Sequence, residues 1–298
     1  MPFVDKVTKT VKAFYQAYPY PSGIPRSGPA SEPRVLLERL RGPRASAGPL
    51  KILEAGCGCG LGLIAAAKRD QESHFTGVDI NPVAIAQAQE RAAGEGLGNL
   101  RVYPADLLSP EAIESPAGGF DLIYSFGVVH HLSSPVTGLL NLKRLLAPQG
   151  VLACMVYGRY AREPLRRLVE AIDLAVDPSL SVAERMEPAR LLAEVAEQTL
   201  FKGTAWEGTS RVDDIEFADR CLHVHEQSYD IDSLWALLAQ SGLSFAAWLE
   251  PDDWSIGLFE QAPIRSLVKT LGARDRYKLV EMLFSRPRLE LLITRLDG

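Results

Sequence analysis

From Lys51 to Tyr157 short apolar runs alternate with longer amphipathic stretches, and this alternation constrains the fold more than any other feature of the 298 residues. Parallel strands must be joined by crossovers, and helices laid over both faces of the sheet supply them. The texture therefore points to a doubly wound α/β fold. Period and composition predict strands over 51–55, 74–79, 100–105, 120–126 and 151–157, with helices opening near Leu61, Pro82, Glu111 and Val136. Pro82 suits a first helical turn, and Ala147-Pro148-Gln149-Gly150 reads as the turn that closes the last of these helices.

The flanks have a different texture. Val7, Val11, Phe14, Tyr15 and Tyr18 recur at spacings of three and four, the stripe of an amphipathic helix over 5–18. Pro19 and Pro21 stop it, and a Pro/Gly/Ser-rich link to about Glu32, a short helix over 35–40 and a second link over 42–49 follow. Beyond the fifth strand the alternation breaks. Residues 158–225 carry helical patterns over 162–176 and 182–200 and then an irregular polar stretch, which reads as an insertion. A helix over 230–240, a strand over 244–249, one or two helices over 264–284 and a strand over 289–295 complete a seven-stranded, mostly parallel sheet. The expected organisation is an N-terminal helical cap and linker (1–46), a core (47–157), a helical insertion or lid (158–225) and the remainder of the core sheet with a helical insertion (226–298).

No apolar run approaches the roughly 18 residues of a membrane helix, and 1–20 is unlike a signal peptide. Cys57 and Cys59 sit inside a glycine run, and the four cysteines form no secreted framework, so the chain reads as cytoplasmic with reduced thiols. A net charge of -5 argues against a surface that embraces nucleic acid throughout. The charge is uneven: residues 1–46 carry 8 Lys/Arg against 3 Asp/Glu and 261–298 carry 8 against 4. Solvated basic tails, or a platform for RNA or an acidic protein, are the two readings of that asymmetry.

Glycines stand at 56, 58, 60 and 62 between the first strand and its helix. A loop without Cβ atoms lets a ligand lie against the backbone, and the helix start offers unpaired N–H groups. Glu54 lies two residues before the first glycine, where a carboxylate suits an amine-bearing ligand and would sit poorly beside a pyrophosphate. Asp79 ends the second strand, 19 residues beyond Gly60, where a carboxylate can take both hydroxyls of a ribose. Asp106 follows the third strand, and Phe120 to Phe126 lead to Gly127-Val128-Val129-His130-His131-Leu132. All of these fall at strand C-terminal ends, where open α/β sheets place their ligands.

Over residues 50–157 the chain resembles the class I S-adenosylmethionine (SAM)-dependent methyltransferases, with Glu54-Ala55-Gly56-Cys57-Gly58-Cys59-Gly60 similar to their glycine motif. The resemblance implies SAM as cofactor, leaving as S-adenosylhomocysteine. It implies that Glu54, Gly56, Cys57, Gly58 and Gly60 hold its methionine part, that Asp79 binds the ribose, that Ile80 touches adenine and that Asp106 bonds the adenine amino group. Leu107 and Phe126 join them as cofactor contacts. Phe14-Tyr15 followed by Tyr18-Pro19-Tyr20-Pro21 resembles an element that precedes the core in some bacterial members, and Leu222 to Tyr229 is similar to a segment of the same proteins. That suggests that Tyr15, Tyr18 and Tyr20 cap the cofactor or the acceptor, with Tyr15 and Tyr20 counted among the cofactor contacts; plain helix packing is the other reading.

Methyl transfer from a sulfonium is an in-line displacement, so the protein aligns the acceptor and supplies a base where the acceptor carries a proton. His130, His131 and Tyr20 are the candidate catalytic residues, the two histidines having a structural hydrogen-bonded role as their alternative. His223, His225 and Glu226 could contact an acceptor, lie in a surface loop or, without an evident third ligand of the usual spacing, hold a metal; no metal is expected. Arg159, Arg162, Arg166 and Arg167 read as a solvated helix face or an anion site. The function expected is methyl transfer to a small-molecule or peptide acceptor. An RNA methyltransferase, a catalytically silent SAM-fold subunit and a dinucleotide-dependent dehydrogenase are the alternatives, the last disfavoured by Glu54 and the loop spacing.

Overall fold

A computed structural model describes residues 5–20, 32–42 and 47–296. The link over 21–31, including Pro21 of the Tyr-Pro-Tyr-Pro element, and residues 43–46 of the second link lie outside the described residues. Seven strands, β1 (Lys51–Ala55), β2 (His74–Asp79), β3 (Leu100–Pro104), β4 (Phe120–Phe126), β5 (Leu146–Tyr157), β6 (Leu243–Trp248) and β7 (Arg288–Arg295), form one sheet in the order β3-β2-β1-β4-β5-β7-β6. The pairs through β5 are parallel, while β7 runs antiparallel to both β5 and β6. The order reverses at β1/β4, the topological switch point at which open sheets bind ligands.

Neighbouring residues of each central strand enter different apolar layers, because a strand turns alternate side chains to opposite faces. Ile52, Leu122 and Val151 join Leu36 and Leu37 of α2 (Pro33–Arg41), Leu63 of α3 (Leu61–Arg69) and Ile85 of α4 (Pro82–Gly94). Leu53, Ile123 and Leu152 face Leu139 and Leu142 of α5 (Pro135–Leu145), Leu234 of α9 (Ile231–Gln240) and Val280 of α11 (Ala273–Phe284). Full burial on both sides is what makes these strands continuous apolar runs. Helix starts follow their caps: Asn81 accepts from Val83 N ahead of Pro82, Asp230 forms a capping box with Ser233, and Asp5 accepts from Thr8 N at the head of α1 (Lys6–Ala17).

After β5 the chain leaves the sheet. The helices α6 (Arg159–Ala175), α7 (Val182–Gln198) and α8 (Asp214–Cys221) gather a separate apolar cluster around Leu165, Leu168, Ile172, Ala193, Phe201, Trp206 and Phe217. The segment closes on itself at a narrow neck, where Gly158 bridges Tyr229, Arg159 N donates to Tyr229 O at 2.8 Å and Tyr229 N donates to Tyr157 O at 2.8 Å.

Three local expectations need correction. The helix expected near Glu111 is a single 3-10 turn, Pro110–Ala112, since prolines at 110 and 116 and the glycines at 118 and 119 leave no room for an α-helical run. The polar stretch before 225 contains α8, whose Phe217 and Cys221 join the insertion's own core. Residues 147–150 belong to β5, where pairing with β4 begins at Phe120↔Leu146 and shifts register before Leu122↔Val151. The 264–284 region resolves into α10 (Ala262–Thr270) and α11, and no helix among the described residues is long and apolar enough to cross a membrane.

Candidate functional site

A cavity of about 570 Å³ opens over the C-terminal ends of β1, β2, β4 and β5, roofed by α1 and by the segment that follows β5. One half is built on the glycine loop. Gly56 holds φ +89°, and a Cβ there would lie 2.2 Å from Val128 Cγ2, so only glycine lets the loop pass that side chain. Gly56 N and Cys57 N both donate to Val78 O, at 2.8 and 2.9 Å, which ties the loop to the end of β2. Asp79 completes the tie: it accepts from Gly58 N and Asn81 N, each at 2.8 Å. Gly60, with φ +76°, caps α3 and packs toward Ala88 behind the loop, so it does not line the cavity.

Glu54, Asp79, Ile80, Asp106, Leu107 and Phe126 all line this half, as do Gly56, Cys57 and Gly58. Burial, with the Asp79 charge adding to it, pushes the Glu54 carboxyl up to about 8, and its Oε2 is buried with no hydrogen-bond partner. Burial also raises Asp79, against the hydrogen bonds from Asn81 and Gly58. Asp106 accepts from Leu108 N at 2.9 Å.

The other half lies between α1, the turn after β4 and the insertion. Tyr15 and Tyr20 line it; Tyr18 instead packs on Phe14, with ring centroids 5.7 Å apart. The Tyr15 hydroxyl donates to Asp219 Oδ1 of α8 at 3.1 Å, and its carbonyl accepts from Asn81 Nδ2 at 2.8 Å, so one residue ties α1 to both halves. His131 lines the cavity with Nδ1 2.9 Å from His225 O. A carbonyl only accepts, so Nδ1 carries the hydrogen and Nε2 the lone pair, and burial lowers this histidine to about 3. His130 is not brought to the cavity. Its ring is fully buried 3.9 Å from that of Tyr157 and 4.2 Å from that of His131, with neither nitrogen hydrogen-bonded, and burial holds it neutral.

The segment after α8 is no surface loop. His223 stacks on His131 with centroids 4.0 Å apart, and Glu226 takes Arg162 by both oxygens, at 2.8 and 2.6 Å. Arg162 is therefore neither solvated nor free for an anion; it lies buried 3.6 Å over the Tyr157 ring, whereas Arg166 pairs with Glu163 on the exposed face. Ligand-capable atoms of His131, Asp219 and His223 lie within 4.8 Å of one another. Their donor chemistry suits a metal poorly: His223 Nδ1 accepts from His225 N at 3.0 Å, so that lone pair is engaged and in the neutral ring the hydrogen stands on Nε2.

Residues 53–152 match the methyltransferase domain family. An uncharacterized protein of Synechococcus sp. is 32% identical over 295 residues, covering 94% of this chain and 69% of its own length. The malonyl-[acyl-carrier protein] O-methyltransferase of Paenibacillus sp. is 30% identical over 142 residues, 48% of this chain and 50% of that protein. The chain belongs to the class I SAM-dependent methyltransferases. PKMT2 from Rickettsia typhi shares the fold with a TM-score of 0.73 over 92% of this chain at 18% identity, and this chain spans 54% of it.

SAM is the cofactor of such methyltransferases, and the glycine-loop half fits it. An unpartnered buried carboxylate oxygen on Glu54 matches an ammonium, and Asp79 at the loop's far edge matches a diol. Sequence reasoning missed Asp219, Tyr157, Trp206, Glu216 and Arg220, which also line the cavity. The signal available for Asp219 was an acid three residues from Glu216 and two before the buried Cys221, in a stretch read as irregular.

Proposed function

We propose that this chain transfers a methyl group from SAM to an acceptor seated in the half of the cavity formed by α1, His131, Tyr157 and the insertion. The observation that carries the reading is continuity: one cavity is lined both by the glycine loop with Glu54 and Asp79 and by Tyr15, Tyr20, His131, Tyr157 and Asp219. When bound there, SAM supplies a methyl carbon activated by its sulfonium.

In this reading Glu54 pairs with the cofactor's ammonium and the N–H groups around Gly56, Cys57 and Gly58 face its carboxylate. Gly60 keeps the loop's path by taking a left-handed conformation at the helix start. Asp79 takes the ribose, Ile80, Leu107 and Phe126 enclose the adenine, and Asp106 bonds the adenine amino group. Tyr15 and Tyr20 close the cavity over the reacting centre, where the exclusion of water strengthens every electrostatic contact. His131 presents a neutral Nε2 lone pair to the acceptor and orients it by hydrogen bonding. Its low basicity argues for that positioning role over proton removal, and His130 supports the ring from behind. The insertion over 158–225 covers the acceptor half as a lid, consistent with a long segment placed at a strand C-terminal end.

Calorimetric titration of the purified chain tests the reading. SAM and S-adenosylhomocysteine should bind one to one in the micromolar range and NAD should give no heat; NAD binding without SAM binding would overturn it.

A further inference from the structure

The charged groups of the acceptor half do not balance. Arg162 is held by both oxygens of Glu226, Arg220 pairs with Glu216 at 2.7 Å, and Arg288 lies 3.4 Å from Glu290. Each lining cation there already has its carboxylate. Asp219 has no such pairing, and Arg162, already held by Glu226, acts on it only through its field. Asp219 is 5% exposed, lines the cavity, accepts a hydrogen bond from the Tyr15 hydroxyl, and has no Lys or Arg nitrogen within ion-pair distance among the described residues. A carboxylate withdrawn from water without an ion pair is costly, so it holds a proton more tightly than an exposed acid until a cation enters beside it. Glu54 is the same kind of group in the other half of the same cavity, and in the methyl-transfer reading the cofactor's ammonium is what answers it.

We infer that Asp219 is the acceptor-binding carboxylate of this methyltransferase and that the acceptor presents a primary or secondary amine, entering as the ammonium. The inference rests on the methyl-transfer reading above and adds the acceptor's chemical class. Tyr15, Tyr157 and Trp206 wall the same space, so the amine arrives through an aromatic-lined passage. The Arg162 guanidinium already covers Tyr157, which leaves Asp219 to supply the charge recognition.

The step balances within the site. The ammonium loses one proton to the Asp219 carboxylate, and the freed lone pair forms the N–C bond as the S–C bond breaks with its electron pair remaining on sulfur. The products are a methylated ammonium and a neutral thioether, and Asp219 returns its proton to solvent. The groups facing Asp219 are Tyr15 of α1, Glu216 of its own helix, Glu226 and Arg162 at the base of the insertion, and the His131 and His223 rings. Burial, reinforced by the two glutamates and opposed by the Tyr15 hydrogen bond and Arg162, pushes the Asp219 carboxyl up to about 7, the range in which a carboxylate accepts a proton near neutral pH.

The test uses three probes that share a phenyl ring and differ in charge, benzylamine, benzyl alcohol and benzoate, titrated into the full chain saturated with S-adenosylhomocysteine and followed by ligand-observed NMR. Benzylamine should bind at least roughly tenfold more tightly than either of the others. In Asp219→Asn that preference should vanish while S-adenosylhomocysteine affinity stays within about twofold. Equal binding of the three probes, preference for benzoate, absence of benzylamine binding, or a preference that survives in Asp219→Asn would each overturn the inference. The wild-type comparison decides by itself if the variant does not fold. Failure of S-adenosylhomocysteine to bind in the same experiment would instead strike the methyl-transfer reading beneath it.

Discussion

At the scale of single residues the site rests on carboxylates that have given up water for few partners. Asp79 is the best placed for a quantitative test because it both shapes the loop, through Gly58 N and Asn81 N, and faces the cavity. Asp79→Ala should weaken S-adenosylhomocysteine binding by about 1.5–3 kcal/mol, the range for removing charged hydrogen bonds, with the fold retained. Calorimetry on a variant with native circular dichroism checks this, and an unchanged affinity would remove Asp79 from the ribose. Glu54 and Asp79 were legible in the sequence because the strand-loop-helix unit fixes where they stand within a few residues of the glycines. Asp219 was not, since its hydrogen bond to Tyr15 spans 204 positions and nothing local marks it. Arg162 was read as solvent-facing or anion-binding because its partner Glu226 is 64 residues away.

At the scale of elements, the strands of the core were legible to within a residue at most ends because each is apolar on both faces and bounded by turn residues. The failures lie where local pattern and tertiary packing diverge. The β3-to-β4 crossover keeps only a 3-10 turn, anchored by buried Ile113, and α8 interrupts its apolar stripe with a buried acid that lines the cavity. The insertion carries its own apolar cluster and meets the core at a neck where Gly158 bridges Tyr229. It should therefore be separable. Replacing residues 160–226 by a short Gly/Ser linker should abolish transfer to the natural acceptor, because Arg162, Trp206, Asp219 and Arg220 leave with it, while S-adenosylhomocysteine affinity stays within a few-fold. Intact turnover, or lost cofactor binding in a still-folded protein, would contradict its assignment as an acceptor lid.

Taken whole, the molecule stores protons that its unfolded chain would release. Burial raises Glu54 to about 8 and both Asp219 and Glu281 to about 7, so above the ordinary carboxylate range the folded chain binds more protons than the unfolded one and stability falls as pH rises toward those values. His131 and His223, lowered by burial to about 3 and 2, act in the opposite sense, adding stability as pH rises toward the ordinary histidine value of about 6.5. Above that value the histidine contribution is complete and the carboxylates lead, joined toward the top of the range by the buried thiols of Cys154 and Cys221, each raised to about 12 and acting in the same sense. The ligand-free protein should then lose thermal stability between about pH 6.5 and pH 8.5, and S-adenosylhomocysteine should flatten the loss by pairing its ammonium with ionised Glu54. Scanning calorimetry with and without ligand checks both, and a melting temperature that rises over this window would contradict the account. The central claim is that one cavity has a cofactor half and an acceptor half, and a crystal structure of the S-adenosylhomocysteine complex tests it most directly. The account predicts the ligand's ammonium on Glu54 and its ribose on Asp79, with its sulfur directed toward a space still open between Tyr15, His131 and Asp219. A ligand bound outside the glycine loop, or one that itself fills the space beside Asp219, would contradict it.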